Sequence, residues 1–245
     1  MKAFLLAAGL GTRLRPVTDT IPKCLVPVDG TPLIDIWLER LARAGVTEVL
    51  VNLHHFPEQV VDHLARCVQP TSVRTVFEPT LLGSAGTLLH NRDFVAGETV
   101  FLAVNADGLT DFDLTTLVDA HRTSGAVATL GLFRAPDPSS CGIVELRDGL
   151  VAAFEEKPPR PRGDLANAGL YAFSPEVLDR IRGPLPRDIG LHLLPELVGS
   201  ARGVVLGDAY FRDIGTPEAL AQANQDWAAL RRSACAPVGH GRSSG

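Results

Sequence analysis

Short apolar runs rich in β-branched residues alternate with stretches at helical spacing, and this alternation limits the fold more than any other feature of the chain. The runs span residues 4–8, 49–53, 73–77 and 100–104. Between the early ones lie helical stretches at 33–44, with Ile34, Trp37, Leu38 and Leu41 on one face, and at 58–67. Strand, helix and strand in repetition specify βαβ units and a mostly parallel sheet with helices packed on it. Further helices are expected at 114–122 and 217–230. From 126 to 173 the pattern changes to strand after strand, AVATLGLF, GIVEL, LVAAF and GLYAF, with turns such as Asp148-Gly149. No linker separates the two patterns. We therefore expect one domain over residues 1–232, with a front half at 1–125 and a mixed β half at 126–232. The Gly-, Ser- and Pro-containing end, 233–245, is expected to be disordered.

Composition excludes several functions. Lys and Arg number 23 against 28 Asp and Glu, a formal net charge of -5, so no broad basic surface is available for nucleic acid. No apolar stretch approaches the roughly 20 residues of a membrane span. The apolar run at 4–8 is too short for a secretory signal and leads into Arg13 and Arg15 rather than a small-residue cleavage site, so it reads as a buried strand. Cys24, Cys67, Cys141 and Cys235 fall at unrelated spacings, which suits neither a disulfide framework nor a structural zinc site and points to a reducing cytoplasm.

The first run breaks into GLGTRLRPVTDTIPK. Gly9 and Gly11 stand at the carboxyl end of the first strand, the edge where open α/β sheets bind ligands. Glycine permits positive φ and close backbone approach, so successive N–H groups can curve into an anion nest, to which Arg13, Arg15 and Lys23 add cations. A nucleoside triphosphate suits such a loop. The dinucleotide fingerprint lacks its third glycine here, and no GKT or GKS completes a P-loop.

GLGTRLRP followed by Ile21-Pro22-Lys23 resembles the signature of the sugar-1-phosphate nucleotidyltransferases, or nucleotide-sugar pyrophosphorylases. The resemblance continues through LLGSAGTL, VNADGL, CGIVEL, FEEKP, NAGLY and RDIGTPE and covers residues 1 to about 228. It implies a Rossmann-like α/β fold with a mostly parallel central sheet flanked by helices and a mixed β substrate half. It also implies joining of a nucleoside triphosphate to a sugar 1-phosphate with release of pyrophosphate. The front half would then bind nucleotide and the back half the sugar phosphate. Neither nucleic acid nor a membrane is an expected partner, and the sequence leaves room for a homo-oligomer.

The resemblance carries roles to individual residues. Arg13 would hold the leaving pyrophosphate and Lys23 would neutralise the α- and β-phosphates. Leu6, Ala8, Gly9, Gly11, Thr12, Glu78, Gly83 and Ser84 would bind the nucleotide. Gly83 would let the flat base approach the backbone. Asp107 and Asp213, each just after a strand, match the family's aspartates for Mg²⁺, a cation that takes oxygen ligands and keeps several waters. Lys157 would grip the sugar phosphate, Glu156 and Asn167 the sugar hydroxyls, and Gly142 would approach by its backbone. Glu78, an acceptor when ionised, suits the N1–H and N2–H₂ edge of guanine, or else it caps a strand end and faces water. The motifs are similar to the mannose- and heptose-1-phosphate guanylyltransferase branch, although Ser84 stands where Thr is usual and Asn105-Ala106-Asp107 replaces Asn-Gly-Asp. A dTDP- or UDP-sugar enzyme is the runner-up. A silent nucleotide-sugar-binding homologue is the alternative from another class. His54 and His55 are expected in a loop or core role, and Trp37 and Trp227 in packing.

Overall fold

The computed structural model describes residues 1–235. Its centre is a nine-stranded sheet, and thirteen strands occur in all among those residues. In chain order they are β1 (Lys2–Leu6), β2 (Pro27–Val28), β3 (Thr31–Pro32), β4 (Glu48–Leu53), β5 (Ser72–Phe77), β6 (Phe101–Asn105) and β7 (Gly108–Thr110), then β8 (Ala128–Arg134), β9 (Gly142–Arg147), β10 (Leu150–Glu156), β11 (Leu165–Phe173), β12 (Ala201–Val205) and β13 (Phe211–Asp213). The helices are α1 (Leu33–Arg43), α2 (Pro57–Arg66), α3 (Ser84–His90), α4 (Leu114–Ser124) and α5 (Pro217–Cys235).

The large sheet runs β5-β4-β1-β6-β11-β8-β12-β10-β9. β5, β4, β1 and β6 pair in parallel, as βαβ patterning requires. β11 then lies antiparallel to both β6 and β8, and β9 and β10 form an antiparallel pair beyond β12. The back half thus continues the front sheet rather than forming a separate one. From β1 the chain steps outward through β4 and β5, then returns to place β6 on the other side of β1. The strand order reverses between β1 and β6, and their carboxyl ends open the crevice in which ligands of such sheets bind.

Alternation along the strands builds a core on each face. Ala3 and Leu5 of β1 point to the side where Trp37, Leu38 and Leu41 of α1 pack with Leu117 of α4 and Trp227 of α5. Phe4 points to the other, against Phe94, Phe101 and Leu88. α4 has the terminal signals expected of it: Asp113 accepts from the Thr115 N–H at 2.9 Å, and Gly125 closes the helix at φ 64°.

Two elements differ from expectation. Residues 84–90, where the sequence pattern predicts no element, form the seven-residue helix α3, which is buried at Ala85, Gly86, Thr87 and Leu88. Burial on the sheet outweighs the helix penalty of its glycine. α5 runs to Cys235, so its last turn takes in the first residues of the expected tail. The rest of that tail lies outside the described residues. No described helix is long and apolar enough to cross a membrane.

Candidate active site

The crevice between β1 and β6 opens into a cavity of about 560 Å³. One wall is the opening loop. Gly11 has φ +63°, and a Cβ there would meet the Thr18 methyl at 2.8 Å, so the turn requires glycine. The Thr18 hydroxyl donates to the Gly11 carbonyl at 2.7 Å and pins the bend. Around Gly9 there is open space, which leaves its backbone accessible. Leu6, Ala8, Gly9, Gly11, Thr12 and Arg13 all line the cavity.

Lys23 follows Pro22 at the start of a single 3₁₀ turn, and its residue is 9% exposed. Its ammonium donates to Asp107 Oδ2 at 3.2 Å and lies 3.6 Å from Asp213 Oδ1. Arg13 reaches the other oxygen of Asp213 at 3.4 Å. Two cations and two carboxylates drawn from four separate segments therefore meet at one place.

The small antiparallel sheet of β7 and β13 makes this possible. It sets Asp213 opposite Gly108, and the Ile214 N–H donates to the Asp107 carbonyl at 2.9 Å. Trp37 does more than pack: its indole N–H donates to the Gly108 carbonyl at 2.9 Å and supports the Asp107–Gly108 turn from within the core. Thr216 caps α5 by accepting from the Ala219 N–H at 3.2 Å, so the α5 start is held by its own residue while Asp213 pairs with Arg13 and Lys23.

Glu78, just after β5, is buried and lines the same cavity, and three internal groups already donate to it. Asn52 Nδ2 and the Thr87 hydroxyl donate to its Oε1 at 2.9 and 2.5 Å, and the Leu82 N–H donates to its Oε2 at 3.1 Å. It does not face water. Asn52 extends the network to β1 by accepting from the Ala7 N–H at 2.8 Å. Gly83 lines the cavity and has a further reason to be glycine. With φ +76°, its missing Cβ would run into the Arg187 backbone, so glycine here also admits a neighbouring segment. That segment is stapled on by Arg187 N–H to Leu82 O at 2.8 Å and Gly86 N–H to Arg187 O at 2.9 Å. Ser84 donates to Asp188 Oδ1 at 3.3 Å and accepts from the Ile189 N–H at 2.7 Å.

The residues expected to meet the sugar phosphate gather beside the cavity rather than in its lining. The Glu156 side chain is 22% exposed and accepts no hydrogen bond among the described residues; Lys157 lies 3.8 Å away. Burial raises its carboxyl above the ordinary range, Lys157 opposes the shift, and Asp188 adds to it. A Cβ at Gly142 would come within 2.7 Å of Glu156 Oε2. Lys157 has φ 47°, an uncommon conformation for a side-chain-bearing residue. Its N–H is held by the Cys141 carbonyl at 3.0 Å, and its side chain is exposed. Asn167 is engaged internally, donating to the Tyr171 hydroxyl at 2.6 Å and accepting from the Gly169 N–H at 3.1 Å.

Sequence reasoning passed over Asn52, Asn105, Pro186, Asp188 and Gly215, all in the cavity lining. Asn52 carried a signal, a polar residue within the buried run VLVNL. Asp188 carried none, because its segment is irregular. The histidines serve structure: His54 Nδ1 lies 2.7 Å from the Glu78 carbonyl and His55 Nε2 3.1 Å from that of Thr18. Cys24, Cys67 and Cys141 are free thiols.

A mixed sheet with a glycine-containing loop at the switch point of its parallel half, and paired aspartates around a lysine beside it, is an arrangement suited to handling phosphate groups. The family model for nucleotidyl transferases matches residues 2–229, and the chain belongs to that family. It is 34% identical over 225 residues to the mannose-1-phosphate guanyltransferase of Schizosaccharomyces pombe, covering 89% of this chain and 62% of that protein. It is 37% identical over 217 residues to a UTP–glucose-1-phosphate uridylyltransferase of Synechocystis, covering 82% of this chain and 56% of that protein. The chain thus spans about three fifths of the length of these relatives. The crystal structure of HddC from Yersinia pseudotuberculosis shares the fold at TM-score 0.78 and 24% identity, covering 92% of this chain and 99% of that one.

Proposed function

We propose that this protein transfers a nucleotidyl group from a nucleoside triphosphate to a sugar 1-phosphate, releasing pyrophosphate, with GTP and mannose 1-phosphate or a heptose 1-phosphate as the preferred pair. The meeting of Lys23 and Arg13 with Asp107 and Asp213 at the opening loop is the observation that carries the reaction. A sugar-phosphate oxygen bonds to the α-phosphorus while the bond to the pyrophosphate oxygen breaks and pyrophosphate leaves with the electron pair. No proton need move at the reacting centre. Catalysis is then positioning and charge neutralisation. The Gly9–Arg13 loop binds the phosphates by its N–H groups, Lys23 neutralises the charge that develops near the α-phosphate, and Arg13 holds the departing group.

Asp107 and Asp213 fit Mg²⁺. Both are about half exposed, 48% and 52% by side chain, and both already hold a cation in the Lys23 ammonium. No group of three His, Cys, Asp or Glu among the described residues forms an all-protein metal cage. Two carboxylates completed by water and phosphate oxygens match Mg²⁺ better than a metal that needs four protein ligands. When bound, the ion supplies positive charge to the triphosphate.

Guanine rests on the guanyltransferase relatives, while Glu78, with its three internal donors, also positions the Leu82–Gly86 loop. Backbone groups around Leu6–Ala8 and Leu82–Gly83 take the base. The uridylyltransferase relative at 37% identity favours UTP with glucose 1-phosphate as the second reading. Gly142, Glu156, Lys157 and Asn167 serve the sugar phosphate, and residues 1–232 act as one unit across the continuous sheet, in the cytoplasm. Nucleoside triphosphates assayed in a matrix against sugar 1-phosphates, with product mass as the readout, test the reading. A GDP-sugar is expected, and no nucleotide sugar from any pair overturns it.

A further inference from the structure

Between the nucleotide cavity and the Glu156 cluster lies one short segment, Arg187 to Gly190, that touches both. On the nucleotide side its backbone is bonded to Leu82 and Gly86, and Ser84 bonds to Asp188 and Ile189. On the other side Gly190 packs on Glu156, where a Cβ would come within 2.7 Å of Oε2. Gly142 approaches the same oxygen equally closely. The Glu156 carboxylate is thus lodged between two glycine backbones that give it no hydrogen bond. A half-buried carboxylate held this way keeps its acceptor sites open to water or a ligand.

Asp188 lines the cavity. Its N–H is fixed by His192 Nδ1 at 2.9 Å, so the residue is held from both its backbone and Oδ1. Oδ2 accepts nothing from any described residue. Asp188 and Glu156 are also electrostatic neighbours. Burial pushes the Tyr171 hydroxyl well above its ordinary range against its Asn167 hydrogen bond, and Glu156, Asp107 and Asp188 all push the same way.

We propose that Asp188 reads the sugar: its free oxygen accepts a hydroxyl of the sugar 1-phosphate alongside Glu156, and Gly190 keeps Glu156 in place for a neighbouring hydroxyl. This rests on the proposed reaction. Carboxylates suit the task because they only accept, and a polyol presents donors at fixed angles. Their shared charge also disfavours a sugar that lacks a hydroxyl at those positions, since each carboxylate would then stay unpaired. Ser84 ties this reader to the loop that flanks the base, so nucleotide and sugar contacts share one segment.

Two measurements separate this proposal from the reaction it rests on. The first is turnover with GTP and mannose 1-phosphate, and with UTP and glucose 1-phosphate, using each monodeoxy analogue of the sugar phosphate, in the wild type, Asp188→Ala and Asp188→Asn. For one hydroxyl, removal should cost the wild type about 10- to 100-fold in kcat/KM, the worth of a hydrogen bond to a charged group, and cost Asp188→Ala about twofold or less. Asp188→Asn, which can keep an acceptor for Ser84, should leave the KM for the triphosphate unchanged while raising that for the sugar phosphate. Deoxy penalties equal in wild type and Asp188→Ala would overturn the assignment and leave the reaction standing. The second is equilibrium binding of GDP-mannose against GDP, and of UDP-glucose against UDP. Tighter binding of the sugar-bearing nucleotide that is lost in Asp188→Asn and in Gly190→Ala supports the reader even if turnover is absent, an outcome that would overturn the reaction alone. Sugar-bearing and sugar-free nucleotides bound alike by the wild type would overturn the reader.

Discussion

At the scale of the residue, the site depends on charges that the fold brings together and only partly satisfies. Lys23 is the most buried of its four charged groups and lies within reach of both aspartates. In the proposed reaction its replacement by Ala removes a preorganised cation from where phosphate charge would develop, and kcat should fall on the order of 10²–10³. Lys23→Arg should not restore it, since a planar fork does not replace a compact ammonium. Turnover of Lys23→Ala within about a factor of two of the parent would remove the electrostatic role. Glu156 has the opposite balance. Its raised carboxyl, caused first by burial, binds more protons in the folded state than in the unfolded one just above the ordinary carboxylate range. Stability from this group therefore falls as pH rises through that window and is undiminished below it. Glu156→Gln should melt higher than the parent at pH 7 and level with it near pH 4, while the KM for the sugar phosphate rises. A variant that melts lower at pH 7 would contradict the unsatisfied state of this carboxylate.

At the scale of the element, the parts that the sequence made legible are those whose signal is periodic or local. β1, β4, β5 and β6 and helices α1, α2, α4 and α5 lie within a few residues of where the apolar spacing sets them. α3 was hidden because it is seven residues long and contains a glycine, too short for a clear helical period, and its burial on the sheet supports it. β12 and the 3₁₀ and π turns from Pro175 to Leu197 were hidden for a related reason: they are irregular, and their burial comes from tertiary packing. The site divides the same way. Gly11, Lys23, Asp107 and Asp213 sit in recognisable local motifs, whereas Asp188 reaches the cavity only because Arg187 is bonded to the Leu82–Gly86 loop. That bond yields a prediction. Gly83→Ala places a methyl group against the Arg187 backbone at a positive φ, and should cost about 1–3 kcal/mol in stability. Because the loop and the Arg187–Gly190 segment move together, the KM values for triphosphate and sugar phosphate should both rise. A variant with parental stability and unchanged KM values would mean that the two segments are not coupled through this contact.

At the scale of the whole molecule, the site is assembled from distant parts of the chain. Arg13 and Lys23 leave β1, Asp107 leaves β6, and Asp213 arrives on β13 from beyond the back half of the sheet. The cation-holding pair exists only when β13 is docked on β7, so ligand binding there must stabilise the docked, folded chain as a whole. Linkage sets the size: a ligand at about 100 times its Kd adds about 2.7 kcal/mol. In a chain of 245 residues each kcal/mol moves the melting temperature by about 2–4 °C, so saturating GTP with Mg²⁺ should raise it by roughly 5–10 °C. The two aspartates should own the metal-dependent part of that rise. With Asp213→Asn, GTP with Mg²⁺ should raise the melting temperature no more than GTP with EDTA, because one of the two carboxylates has lost its charge. Asp107→Asn should behave alike, since neither aspartate alone meets the requirement. Both variants should lose far more in kcat than they gain in KM, because the charge they hold matters most in the transition state. Thermal scans of the parent and both variants, with Mg²⁺ and with EDTA, decide it. An undiminished Mg²⁺-dependent rise in either variant would take that aspartate out of the metal site and leave it as the counter-ion of Lys23.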